Sequence, residues 1–380
     1  MLSSARWLVQ INLRGHFHTR QPATFRSCST QTLPHPHQQP SKTRMGKNKK
    51  SSVPGEQHLH LQPLSSLSEK ATAPIVDTHT HLHSTFSTYR SKYPAGRYET
   101  VFDFVRGMYE GRGVEAIVDV WCEAPVLKQA WRELADSALT EEERRSKWAG
   151  LEYWFVMGVH PHEANSYSDE VEADILDAMV HPRCVGWGEI GLDYHYDNSP
   201  RELQQQVFVR QLQHAVRLGK PLTIHTREAE EDTERILKEE VPKDHKIHIH
   251  CYTDSPEWTA RMLDHFPNLY IGITGVITYS SNLNTANVIR HLAASSSSRL
   301  RILLETDAPF MVPSNLYDTA LKGVKGRLPL SHSAMIPWTA EFVAGVANEM
   351  MAEVVEGRPS WDVERVMQVA RENARNMYGV

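Results

Sequence analysis

The stretch IVDTHTHLH, residues 75–83, places three histidines at alternate positions, His79, His81 and His83, just after an apolar pair and Asp77. Side chains at i and i+2 of a strand share one face, so His79 and His81 can aim at a common point. Imidazole and carboxylate together suit divalent ions such as Zn²⁺ and Mn²⁺. Four further short apolar runs end in the same way: Glu189 in GEIGLDY, His225 in IHTRE, His250 in HIHCY and Asp307 in ETDAP. A lone histidine at such a place is more often structural than a ligand. Six donors at comparable places imply a metal site. They exceed one tetrahedral shell, so two divalent ions (Mg²⁺, Mn²⁺ or Zn²⁺) with a carboxylate between them are expected, an arrangement that clamps the oxygens of a hydrolysis. Glu189 and Asp307 are the carboxylates expected to take part. Asp307 follows the apolar Ile302-Leu303-Leu304, and it is the expected general base toward a metal-activated water.

Other polar residues of the same motifs have weaker claims. His160 and His162, in GVHPHE, are candidates for substrate contact or for stabilising a turn. Arg227 can meet a phosphate oxygen, or pair with Glu228 or Asp232. His248 shares a face with His250 but lies deeper, and is read as packing or as support. Asp77 is read as supporting the histidine pair from below. His83 falls beyond the strand and receives no role.

The elements that must position these residues are legible from residue 71 onward. Eight β-branched runs alternate with longer helical stretches: 74–82, 115–122, 153–161, 184–193, 221–228, 245–252, 268–275 and 299–309. In residues 201–220, Leu203, Val207, Leu212, Ala215, Val216 and Leu218 form an apolar stripe. Ser255 with Pro256 reads as an N-cap and first helical residue. Eight strands alternating with helices over this length predict a closed parallel TIM (β/α)8 barrel, with a doubly wound open sheet as the alternative. In that barrel, residues at the C-terminal ends of the strands carry the chemistry. Residues 84–112 and 124–150 read as long connections able to form a lid.

The first 55 residues hold nine Lys or Arg and no Asp or Glu, so 32 basic and all 46 acidic residues fall after them. Residues 1–70 are therefore read as a disordered, basic, low-complexity extension, and 71–380 as the catalytic domain. The Arg-rich, acid-free start resembles a mitochondrial presequence. If Met45 is the initiator instead, the cytoplasm or nucleus is expected. The acidic remainder argues mildly against non-specific binding to nucleic acid. The absence of an apolar run of about 18 residues makes a membrane span unexpected. Four scattered cysteines, Cys28, Cys122, Cys184 and Cys251, form no CxxC pair and read as small buried side chains rather than a disulfide framework. No protein partner is indicated, and a monomer is expected.

The motifs DTHTHLH, GVHPHE, GEIGLDYHYD, VFVRQLQHAVRLGKPLTIHTREA, HCYTDS, GITG, LLETDAP and ENARNMYGV together resemble the TatD family, over residues 74–380. That resemblance implies a TIM-barrel, metal-dependent hydrolase of the amidohydrolase type, with DNA phosphodiester bonds as substrate. It implies His79 and His81 as ligands of one ion, Glu189 as the bridging carboxylate, His225 and His250 as ligands of the other, and Asp307 as shared ligand and catalytic aspartate. Two places depart from the family pattern. His83 stands where an acid is usual, and Ser331-His332-Ser333 and Pro337 stand where an Asn-Glu-Pro stretch is common. These bear on substrate choice, so a hydrolase of esters or amides and a barrel scaffold of minor activity are the competing expectations.

Overall fold

The computed structural model describes residues 53–62, 73–294, 300–354 and 360–380, without side chains at 350–354. The presequence, the alternative start at Met45 and Cys28 lie outside the described residues. Eight strands, β1 (Ile75–Thr80), β2 (Val114–Trp121), β3 (Glu152–Met157), β4 (Cys184–Asp193), β5 (Leu222–Arg227), β6 (Ile247–Ile249), β7 (Leu269–Ile273) and β8 (Ile302–Leu304), pair in parallel in chain order. A bridge from Thr80 to Ala308 closes the ring, with the Asp307 amide donating to the His79 carbonyl at 2.9 Å. This is the (β/α)8 barrel expected from the alternation. Several strands end earlier than the apolar runs do, because their last polar residues leave the ladder to face the barrel mouth.

The helices are α1 (Leu82–Lys92), α2 (Val101–Tyr109), α3 (Lys128–Asp136), α4 (Glu141–Lys147), α5 (Asp169–Met179), α6 (Arg201–Leu218), α7 (Glu230–Glu240), α8 (Pro256–His265), α9 (Asn284–Ala294), α10 (Ile336–Val354) and α11 (Val363–Tyr378). Ser255 caps α8 through the Trp258 amide, with Pro256 at the first position, as the sequence suggests. The lid expectation for residues 84–112 and 124–150 fails. These residues fold into α1 to α4, whose Phe104, Val105, Trp131 and Leu134 are buried in the core, and none of them lines the cavity at the mouth. Apolar faces at helical spacing bind them to the barrel instead.

The stripe read on α6 also needs correction. Leu218 is exposed and Leu203 is only half-buried, while Gln204 and Gln211 are fully buried. Gln204 accepts from the Asp193 amide at 2.8 Å and donates to the Asp193 and Ser199 carbonyls. Gln211 accepts from the Val159 amide at 2.8 Å and donates back to the Val159 carbonyl. A buried amide side chain that satisfies strand-end backbone avoids the cost of leaving those groups unpaired. Both glutamines thereby hold the strand ends that carry the site.

Two apolar clusters make the core. One lies between strands and helices. The smaller fills the barrel interior with Val76, Val118, Val156 and Leu303, closed from below by Met377 and Tyr378 of α11. Residues 53–62 depart from the extension read over 1–70. Leu59 is fully buried, its carbonyl lies 3.0 Å from His332 Nε2, Arg112 donates to the Leu61 carbonyl, and Tyr89 donates to Glu56. The partners of this strap are up to 273 residues distant in the chain.

Gly191 pairs with His225 across β4 and β5 at φ 149°. A Cβ there would meet the His225 carbonyl oxygen at a distance no side chain tolerates. Gly191→Ala is expected to lower the urea unfolding free energy by more than the roughly 3 kcal/mol that ordinary substitutions reach. An unchanged midpoint would show that the backbone gives way there.

Candidate metal centre

His79 and His81 leave the end of β1 with their Nε2 atoms 3.4 Å apart. Asp119, on the neighbouring β2, caps the helix that follows by accepting from the Leu82 amide at 2.8 Å, which fixes the turn carrying His81. Asp77 accepts from the His79 amide and from Thr306 Oγ1, tying β1 to the segment that carries Asp307. Asp307 takes φ 50°, a left-handed conformation held by its amide bond to His79.

Glu189 sits at the centre. Its Oε2 lies 3.5 Å from His79 Nε2 and 3.7 Å from His81 Nε2. Its Oε1 lies 2.7 Å from His250 Nε2, 2.8 Å from His225 Nδ1 and 3.4 Å from His160 Nε2. Asp307 Oδ1 stands 3.4 Å from His81 and 3.7 Å from His79. All six residues singled out at strand ends are thus brought together. They form overlapping groups, His79–Glu189–His250 and His79–His81–Asp307, with a third, His160–Glu189–His225. Donor atoms within each group lie within 4.8 Å of one another. His160, read from sequence as a substrate or turn residue, therefore belongs beside the donors.

His162 stands apart from these groups. Its Nε2 meets Asp193 Oδ2 at 2.9 Å, and the same oxygen is 3.1 Å from His225 Nε2. Asp193 orients His225 and was missed in the sequence, although it lies four residues after Glu189 on the same strand face. Arg227 forms no ion pair with Glu228 or Asp232; its guanidinium lies over the Tyr196 ring, 4.8 Å from the centroid. His248 is fully buried below the centre, 2.9 Å from the Tyr378 hydroxyl and 2.8 Å from Glu305. His83 is exposed against Trp121. Cys122 and Cys184 are buried, Cys251 is half-buried, and all three are free thiols.

The donor set fits divalent cations. The two Nε2 atoms at 3.4 Å converge on the same space as Glu189 Oε2 and Asp307 Oδ1, so a cation placed there would take lone pairs from both imidazoles and charge from both carboxylates. Burial holds His79 and His160 down near 4, so both imidazoles are neutral donors. At His225 burial acts downward, but Asp193 and Glu189 outweigh it and raise the group to about 9. At His81 burial is likewise outweighed, chiefly by Asp307. Burial raises Glu189, yet His250 and His160 hold it well below the carboxylate range. A cation bound at His81 and His225 would displace protons from them, so its affinity would rise with pH.

Asp119 carries a separate pH dependence. Burial raises its carboxyl to about 7, against the bonds from Leu82 and Tyr153. An acid raised on folding contributes stability that is complete below its ordinary value of 3.8 and lost as pH rises through about 7. Asp119→Asn, which keeps the acceptor for the Leu82 amide and turns the Tyr153 side into a donor as a protonated carboxyl would, is expected to gain in urea midpoint relative to the unsubstituted protein between pH 5 and pH 8. A difference that stays constant with pH would contradict this.

A cavity of about 1380 Å³ opens over the centre. It exceeds the ~300–1,000 Å³ of small-ligand pockets. The fold, the strand-end donors and this open mouth define a metal-dependent hydrolase on a TIM barrel. The model of the TatD related DNase family matches residues 76–379, and the chain belongs to that family. The human 3′-5′ RNA nuclease TATDN2 is 36% identical over 273 residues, 70% of this chain but 31% of that protein. The chain thus spans about a third of that relative. An uncharacterized metal-dependent hydrolase of Bacillus subtilis, YabD, is 28% identical over 80% of this chain and 99% of its own length. The 3′-5′ ssDNA/RNA exonuclease TatD of Escherichia coli is 30% identical over 53% of this chain and 76% of its own. Among solved structures, a TatD family hydrolase of Entamoeba histolytica shares the fold, with TM-score 0.60 and 19% identity over 81% of this chain and 99% of that one. Among the described residues, no helix is long and apolar enough to cross a membrane.

Proposed function

We propose that the chain is a two-metal nuclease that hydrolyses phosphodiester bonds of DNA, taking single strands from the 3′ end. The observation that carries this is Glu189, whose two oxygens face two separate imidazole sets beside Asp307. His79, His81, Glu189 and Asp307 would hold one divalent ion, and Glu189, His225 and His250 the other, with His160 adjoining the second. Such ions supply charge neutralisation for the phosphodiester and acidify water. Asp307 accepts the proton of the attacking water; burial raises its carboxyl, but His81 and His79 outweigh this, so it is ionised at neutral pH. Asp193 keeps His225 turned toward Glu189. Arg227, which forms no ion pair among the described residues, offers its fork to a phosphate oxygen. The names of the human and Escherichia coli relatives support nucleic acid as the substrate class and open RNA beside DNA.

A second reading, a hydrolase of uncharged esters or amides, draws on the cavity wall. Among the described residues, seven carboxylates line it beyond Glu189, Asp193 and Asp307, and Arg227 is its single Lys or Arg. The scaffold reading has no support from a donor set this complete. A metal titration on single-stranded DNA, duplex DNA, single-stranded RNA and small esters separates the readings. Chelation is expected to abolish cleavage of the single strands and to lower the melting temperature, with Mg²⁺, Mn²⁺ or Zn²⁺ restoring both. Metal-loaded protein that hydrolyses the small esters and leaves every polynucleotide intact would refute the nuclease.

A further inference from the structure

Eight large hydrophobic side chains are exposed among the described residues, and three of them, Tyr196, Leu283 and Phe310, line the one cavity that holds the metal centre. Isolated exposed hydrophobics need no explanation, but their convergence on an acidic mouth does. Tyr196 is 55% exposed and Phe310 59% exposed. Each ring is carried by a backbone bond to the centre itself. The Tyr196 amide donates to Asp193 Oδ1 at 3.1 Å, and the Phe310 amide donates to the Asp307 carbonyl at 2.9 Å. Each ring therefore stands three residues from a carboxylate of the site, one after β4 and the other after β8. His162 meets the Tyr196 ring edge-on at 5.5 Å, and Arg227 lies over that ring. The Phe310 ring has no aromatic or cationic neighbour among the described residues.

The charge of the mouth decides what these rings can hold. Beyond the one phosphate that the two ions would neutralise, affinity through phosphates needs Lys and Arg, and the described lining of this cavity offers Arg227 against ten carboxylates. A polynucleotide entering it must be gripped elsewhere than on its backbone. Unpaired bases present π faces, and each of them can stack on an aromatic ring whatever the sequence. A duplex hides those faces and brings twice the charge. From this we infer that Tyr196, backed by Arg227, and Phe310 are two base-stacking subsites flanking the metal centre, with Leu283 as an apolar flank. They select unpaired nucleobases next to the scissile phosphate. This rests on the nuclease reading and specifies how that site chooses its strand.

The test uses the full metal-loaded chain and two single-stranded oligonucleotides that differ only in abasic residues at the three 3′-terminal positions. The unsubstituted protein is expected to prefer the normal strand at least tenfold in kcat/KM, chiefly through KM. In Tyr196→Ala/Phe310→Ala that preference falls toward one, and in Tyr196→Trp/Phe310→Trp it is kept. Rings that only support the fold would lower both strands by the same factor and leave the preference intact, which overturns the inference. An equal rate on both strands with the unsubstituted protein also overturns it, while leaving the nuclease standing. Hydrolysis of bis(4-nitrophenyl) phosphate with neither oligonucleotide cut refutes the nuclease and the subsites together.

Discussion

Replacing Glu189 with glutamine is expected to abolish bound divalent metal and hydrolysis together. Five imidazole nitrogens approach its two oxygens, from 2.7 Å at His250 to 3.7 Å at His81. The amide keeps the shape but loses the charge that sustains them and presents an NH₂ group to nitrogens that need an acceptor or a cation. The loss in kcat/KM should exceed the roughly 10–100-fold typical of removing an outer partner of a metal ligand. Elemental analysis of the purified variant alongside kcat/KM on a single-stranded oligonucleotide measures both effects. A variant that retains two ions and the normal rate would remove Glu189 from the centre. Normal circular dichroism would show that the loss is not one of folding.

Asp307→Asn should remove the base and weaken the hold on the ion beside His79 and His81, while sparing the ion on the other side of Glu189. Loss of a positioned base costs on the order of 10²–10⁴-fold in kcat. An ion held by Glu189, His225 and His250 would not depend on Asp307, so this variant should keep metal that Glu189→Gln loses. Its KM should change little, because the mouth that receives the strand is intact. The carboxyl is held below its ordinary range by His81 and His79 against burial, so the unsubstituted enzyme keeps its base ionised across neutral pH. Cleavage by Asp307→Asn at the normal rate would exclude it as the base.

Local periodicity made the donor set legible. His79 and His81 are two apart on one strand, and Glu189, His225, His250 and Asp307 each follow an apolar run, so their convergence needs only that the runs become barrel strands. Asp193 obeys the same rule, four residues beyond Glu189, but a lone aspartate at a strand end carries a weaker signal than the paired histidines. Gln204 and Gln211 were not within reach. An apolar stripe is sought by hydrophobicity, and a buried glutamine earns its place through hydrogen bonds to strand ends that the pattern does not display.

The two segments expected to cover the mouth show how composition misleads. Residues 84–112 and 124–150 are rich in charge, yet their aromatic and aliphatic residues recur at helical spacing and bury against the barrel flank. Leu59 and Leu61 sit in sequence that reads as low complexity, and their carbonyls are held by His332 and Arg112, far away in the chain. In Ser331-His332-Ser333, a departure from the family pattern, His332 meets this strap, Ser333 bonds Tyr109, and none of the three lines the cavity.

The amino-acid sequence by itself determined the strand-and-helix alternation, the eightfold count and the residue types waiting at the strand ends, because each rests on spacing within a few residues. Tertiary structure alone decided the rest. It set which oxygen of Glu189 faces which imidazole, placed His160 beside the donors, turned Arg227 onto Tyr196 instead of a carboxylate, and brought two exposed rings to opposite sides of one mouth. Those relations join strands far apart in the chain, and the closure of the barrel is the physical event that creates them.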